Sequence, residues 1–158
     1  MTLARVELVG SSPSGLSEML AALFEQQLRR DPGRASHIVR SVVVLEAPDA
    51  GVATTVRLAP GRVRIVDGAA SDAHLRVRAD AGILLGLAGV PLRLGFPDPS
   101  RAAGRAAIAD VATGRVRVRG LARHPRMLAG FLSLLCVQEA PPASSPLPSR
   151  SGRMGRPS

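Results

Sequence analysis

Three short stretches of this chain alternate arginine with aliphatic residues: Arg62-Val-Arg-Ile-Val66, His74-Leu-Arg-Val-Arg-Ala79 and Arg115-Val-Arg-Val-Arg119. A period of two is the signature of a β-strand, because successive side chains point to opposite faces. Arg62, Arg64, Arg76, Arg78, Arg115, Arg117 and Arg119 then share one side, while Val63, Ile65, Leu75, Val77, Val116 and Val118 share the other. The pattern predicts a sheet with one wet and one dry face.

The rest of the chain supplies further strands and helices. Residues 1–12 read as a leader or a short edge strand. Leu16, Met19, Leu20, Leu23, Phe24 and Leu28 recur at helical spacing from a start near Ser14, and Asp31-Pro32-Gly33 ends that helix. Strands are expected over His37–Ala47, Val52–Ala59, Arg62–Val66 and His74–Ala79. Their short Pro- and Gly-bearing links favour an antiparallel meander. Asp80 is placed to cap a short helix carrying Ile83, Leu84 and Leu87. An apolar connector through Leu92, Leu94 and Phe96 follows, then an Ala-rich helix restarting at Asp98-Pro99-Ser100. After the last strand, Pro125 opens a terminal helix with Leu128, Phe131, Leu132 and Leu135 on one face and Met127 and Leu134 on its flanks.

A chain of 158 residues supports one domain with a real core. The organisation expected is a domain over 1–139 and a basic, Pro- and Ser-rich tail over 140–158, too poor in apolar residues to fold. There is no Trp or Tyr and only Phe24, Phe96 and Phe131, so the core is aliphatic. The net charge is +9 and all 21 basic residues are arginine. The absence of lysine excludes Schiff-base chemistry and a phosphate-binding P-loop.

Little else in the chain points to catalysis. His37, His74 and His124 lie apart with no metal-ligand spacing, so no metal site is expected. No nucleophile elbow is present. Cys136, the single cysteine, lies in an apolar run and reads as buried rather than reactive. The chain suits a reducing cytoplasm, shows no signal-peptide layout, and has no apolar run of the ~20 residues that cross a bilayer. The arginine rows suggest either a solvated outer face or a docking face for an anionic partner. Nucleic acid is disfavoured, since no aromatic platforms are available for bases. The dense apolar run around Ile83–Phe96, added to the terminal helix, exceeds what one sheet face obviously needs. It reads either as ordinary core or as the lining of a cavity for an apolar ligand.

In order, these features resemble the sterol carrier protein type two family. The stretch Ser71-Asp-Ala-His-Leu-Arg-Val-Arg-Ala-Asp80 leads into the Leu-rich helix Ile83-Leu-Leu-Gly-Leu87. A connector and a helix come next, then Gly114-Arg-Val-Arg-Val-Arg-Gly120 and the apolar helix Met127–Val137. The similarity covers about 71–137 and is positional over 14–70. It implies an α+β fold: a five-stranded, mostly antiparallel sheet with helices on one face, enclosing an apolar cavity for a sterol, fatty acyl or isoprenoid lipid. It further implies a binding role with no catalytic residues and no cofactor.

On that basis Ile83, Leu84, Leu87, Leu92, Phe96, Met127, Phe131 and Leu135 are expected to line the cavity. Arg93 and Arg101 are expected to meet a headgroup at its mouth. The expected partners are an apolar lipid and, transiently, a membrane or an acidic protein. The other expectation is an interaction protein whose core is closed and whose partner binds the arginine face or the tail. The connector Pro91–Arg105 is longer than the family pattern and the Ala-rich helix carries smaller residues, so ligand identity is not carried over.

Overall fold

A computed structural model describes residues 4–93 and 96–136. Leu94, residues 137–139 and the tail at 140–158 lie outside the described residues.

The first helix, α1 (Gly15–Arg30), starts where the sequence places it. Ser14 is its N-cap and its hydroxyl accepts from the Ser17 amide. Glu18 lies in its first turn and Arg29 and Arg30 in its last, each complementing the helix dipole. A 3-10 turn over Pro32–His37 follows, with the Asp31 carboxylate accepting from the Gly33 amide. The strand expected from His37 therefore begins later, as β2 (Ser41–Ala47).

Strand β2 pairs antiparallel with β3 (Val52–Ala59), and β3 with β4 (Arg62–Asp67). The β3–β4 turn holds only Pro60 and Gly61. Gly61 takes φ +73°, the left-handed value demanded after a proline in a type II turn. The meander ends there. The next strand, β5 (Leu75–Arg78), does not pair with β4 but runs parallel to β2 on that strand's other side.

The link between them, residues 68–74, crosses the outer face of the sheet and is fastened to it. Thr55 Oγ1 donates to the Gly68 carbonyl and accepts from the Ala70 amide. Arg76 donates to the Ala70 carbonyl, and Arg57 forms two hydrogen bonds with Asp72. The Arg57 guanidinium holds the Asp72 carboxyl below the usual carboxylate range.

The leader forms an edge strand, β1 (Arg5–Val9), parallel to β4. With the hairpin strands β6 (Leu92–Arg93) and β7 (Phe96–Pro97) counted in chain order, the closing strand is β8 (Arg117–Arg119). It pairs antiparallel with β5. The main sheet thus has six strands, ordered β1-β4-β3-β2-β5-β8, and not the five expected. Three of its pairings are antiparallel and two are parallel. The sequence pattern specifies which face of each strand is dry. It says nothing of which neighbour a strand takes once a link is long enough to skip strands.

The dry face is as predicted. Val43, Val56, Val63, Ile65 and Leu75 are fully buried under Leu16, Leu20, Phe24 and Leu28 of α1. The other helices complete that layer: α2 (Ala81–Leu87), α3 (Ala102–Ala112) and α4 (Pro125–Leu135). Asp80 stands at the start of α2 but its side chain makes no capping bond. Asp49, in the β2–β3 loop, takes the Ala81 amide instead at 2.9 Å. Arg34 closes the far end of α4 by donating to the carbonyls of Ser133 (3.0 Å) and Cys136 (3.2 Å).

The wet face carries the arginines. Arg57 stands directly opposite Arg64, Arg76 opposite Arg119 and Arg78 opposite Arg117. Like charges so placed disfavour the sheet. Glu7 answers Arg62 and Arg64, and Glu46 answers Arg76. Arg115, expected in the same row, precedes β8 and pairs with Asp110 at 3.2 Å.

Candidate functional site: an apolar cavity between sheet and helices

Between the dry face and the helices lies a cavity of about 570 Å³. Its floor is Leu45, Val77, Val116 and Val118, from the inner faces of β2, β5 and the β8 segment. Leu16, Met19, Leu20 and Leu23 of α1 form one side. The opposing walls come from Leu84, Leu85, Leu87 and Ala88 around α2, Phe96 and Pro97 of the hairpin, and Ala107, Ile108, Val111 and Ala112 of α3. Leu121 and the α4 residues Leu128, Phe131, Leu132 and Leu135 close it. All these lining side chains are apolar.

Local sequence explains why the space stays open. The large apolar residues of the buried stripe of α1, Leu16, Leu20, Phe24 and Leu28, stand four residues apart and pack into the main core. Met19 and Leu23 form a second stripe beside it and reach the cavity. The helix α3 is built mainly of alanine and has little side-chain volume with which to fill the gap. It is held by its first turns. Gly104 is buried against the backbone of Asp98, so close that a Cβ there would collide with the Asp98 carbonyl.

Five of the expected wall residues meet at the cavity: Leu84, Leu87, Phe96, Phe131 and Leu135. Three are directed elsewhere. Ile83 and Met127 pack against the main core, and Leu92 joins a small cluster with Val90, Ala107 and Cys136. Adjacent helical positions such as Ile83 and Leu84 point about 100° apart, so both cannot face one opening. α1, the sheet floor and α3 add wall residues beyond those the sequence pattern singles out. The second stripe on α1 was the available signal, since one sheet contact does not need so broad an apolar face.

Arg93 and Arg101 are exposed near the hairpin. Between them in sequence stands Asp98, whose carboxyl is held below its usual range by hydrogen bonds from the Ser100 hydroxyl and amide, with the positive charges of Arg93 and Arg101 adding to the effect. Neither arginine forms an ion pair among the described residues.

Away from the cavity, His74 and His124 lie edge to face with ring centroids 5.5 Å apart. His74 Nδ1 accepts the Val42 amide at 3.0 Å, which gives that histidine a role in fastening β5 to β2. Among the described residues no three His, Cys, Asp or Glu side chains are grouped to hold a metal ion. No helix there is long and apolar enough to cross a membrane.

A six-stranded α+β sheet, helices on one face and an apolar cavity between the layers make up an SCP2-like fold. A solved structure described as a UbiJ-SCP2 ubiquinone synthesis protein is similar to it, with a TM-score of 0.54 and 18% identity over 76% of this chain and 92% of that one. At that identity the likeness is one of fold. No family model matches the chain, and no curated protein does.

Proposed function

We propose that this chain is a non-catalytic lipid-binding domain that holds one apolar lipid, a sterol, fatty acyl or isoprenoid compound, between its sheet and its helices. The observation that carries the reading is the wholly apolar wall of a cavity of about 570 Å³. That volume lies within the range of pockets that enclose small ligands. The cavity opens at a rim of exposed apolar residues, so without an occupant its apolar wall faces water, and a lipid that displaces that water gains about 25 cal/mol per Å² of apolar surface buried. Each buried methylene of an acyl chain contributes about 0.8 kcal/mol, so a chain alone supplies useful affinity without a polar anchor.

The expectation of a core closed by its own side chains is less well supported, because the helices leave this space unfilled. Arg93 and Arg101 are proposed to meet an anionic headgroup outside the apolar wall. The proposal includes a reducing, cytoplasmic setting, in keeping with the free buried thiol of Cys136. The described solved structure belongs to quinone synthesis, which makes an isoprenoid one of the classes to try first.

The test is to purify the chain, extract it with organic solvent and look for lipid by mass spectrometry, alongside titration with a fluorescent fatty acid. Co-purified lipid and saturable binding are expected, with binding abolished by Leu87→Arg while circular dichroism stays native. Absence of saturable binding for fatty acyl, sterol and isoprenoid probes alike sinks the proposal.

A further inference from the structure

Nine large apolar residues are exposed on the described surface, and six of them ring the cavity: Met19, Leu85, Phe96, Ile108, Val111 and Leu121. Exposed apolar residues scattered singly need no explanation, but a contiguous set around an opening marks a contact surface. The segments that carry Phe96, Ile108, Val111 and Leu121 are basic: apart from the arginines of β8, residues 92–123 hold Arg93, Arg101, Arg105, Arg115 and Arg123 against the two acids Asp98 and Asp110. Both of those acids are already engaged, Asp110 by Arg115 and Asp98 by Ser100. Arg93, Arg101, Arg105 and Arg123 are exposed in the segments that carry the rim.

We propose that the mouth of the cavity docks on an anionic membrane surface, with Ile108 and Val111 of α3 entering the headgroup layer. This rests on the lipid-binding reading of the cavity and adds the partner from which the lipid is taken or to which it is given. A bilayer offers both halves of the complement. Its anionic headgroups attract arginines close to the surface, and the apolar layer below accepts the rim, as it does the apolar face of an interfacial helix. An acidic protein would answer the charge but not the ring of aliphatic side chains around a lipid-sized opening. The outer sheet face is the competing basic surface, yet its central apolar residues Val42 and Val44 are buried and the exposed Val9 stands alone on the edge strand β1, so it presents no ring of apolar side chains to insert.

The test is flotation of the full chain with vesicles of phosphatidylcholine alone, and with one part in three replaced by phosphatidylglycerol. Binding is expected to be about tenfold stronger to the anionic vesicles and to weaken as salt rises. Arg105→Glu with Arg123→Glu, two exposed residues outside the cavity lining, is expected to lose most of that binding while fatty-acid titration still saturates. If that pair fails to fold, Arg105→Gln with Arg123→Gln is expected to give a smaller loss in the same direction. Equal binding to both vesicle types, or no binding, overturns the proposal, including the case in which the chain is retained only by an acidic polypeptide. Loss of binding in Arg117→Glu with Arg119→Glu but not in the rim variants also overturns it, since docking would then use the sheet. Vesicle binding that persists when no lipid probe saturates the cavity supports the docking surface and rejects the cavity's proposed occupant.

Discussion

Phe24 of α1 and Phe131 of α4 meet edge to face, with ring centroids 6.1 Å apart and planes at 64°. Both are buried, but only Phe131 faces the cavity. The pair joins the helix that covers the sheet to the helix that closes the site, so core and cavity share one contact. Phe24→Ala is expected to destabilise the domain by about 3–5 kcal/mol, the usual cost of truncating a buried Phe. Urea unfolding followed by far-ultraviolet circular dichroism measures it. A loss below 1 kcal/mol would show that α1 and α4 are not coupled through this pair.

The true wall is separable from residues that merely lie near it. Ala112 lines the cavity from α3 and is exposed, so Ala112→Phe adds volume where space exists. Fatty-acid affinity is expected to fall about tenfold, equivalent to about 1.4 kcal/mol, with stability within about 0.5 kcal/mol of the parent. Ile83→Ala and Met127→Ala should do the reverse. Each is expected to cost about 2 kcal/mol of stability and leave the number of lipid sites unchanged. Titration and denaturation of the same three variants decide the matter.

Asp67 ends β4 and receives the start of α1. Its carboxylate accepts from the Ser14 amide and hydroxyl, both at 2.7 Å, and from the Ser17 hydroxyl at 2.5 Å. The Ser17 bond, then those of Ser14, lower its pKa. A carboxyl whose folded pKa lies below its unfolded value stabilises the fold above the unfolded pKa, about 3.9. That stability drains away as pH falls through the lower folded value. In Asp67→Asn this acid-dependent component should vanish, and stability should change less between pH 5 and pH 2. Thermal melts across that range test it; parallel profiles for both proteins would count against the latch.

Cys136 follows α4, and its thiol donates to the Leu87 carbonyl at 3.0 Å. Burial pushes its pKa up to about 12, slightly offset by Arg34. Alkylation needs the thiolate. Native protein at pH 8 is therefore expected to react with iodoacetamide at least a hundredfold more slowly than urea-unfolded protein. Comparable rates would mean that the α2–α4 seam opens readily.

Much of the architecture is legible in local pattern. The Ser14 cap, the wide apolar face of α1 and the Pro60-Gly61 turn each specify their element through neighbours a few residues away. The position of β5 is not legible in that way. It depends on Arg57 reaching Asp72 and on Thr55 receiving the 68–70 backbone, contacts between segments that carry no shared periodicity. The capping of α2 by Asp49 in place of Asp80 has the same origin. At the site, Leu84, Leu87, Phe96, Phe131 and Leu135 were legible as apolar residues near the connector and the last helix. Ile83, Leu92 and Met127 have the same chemistry, and only their direction sets them apart.

The alternation of arginine with valine determined by itself that a sheet would have one wet and one dry face, and the scarcity of aromatic residues determined that its cover would be aliphatic. Only the tertiary structure decided that this cover stands away from the sheet, and where. A cavity is the difference between two packed surfaces. It arises here because α3 is pinned at Gly104 against Asp98 and sends mostly small side chains inward, while Phe24 and Phe131 hold α1 and α4 together beside it. Periodicity assigns each residue a face, but the distance between faces is set by contacts among residues far apart in the chain.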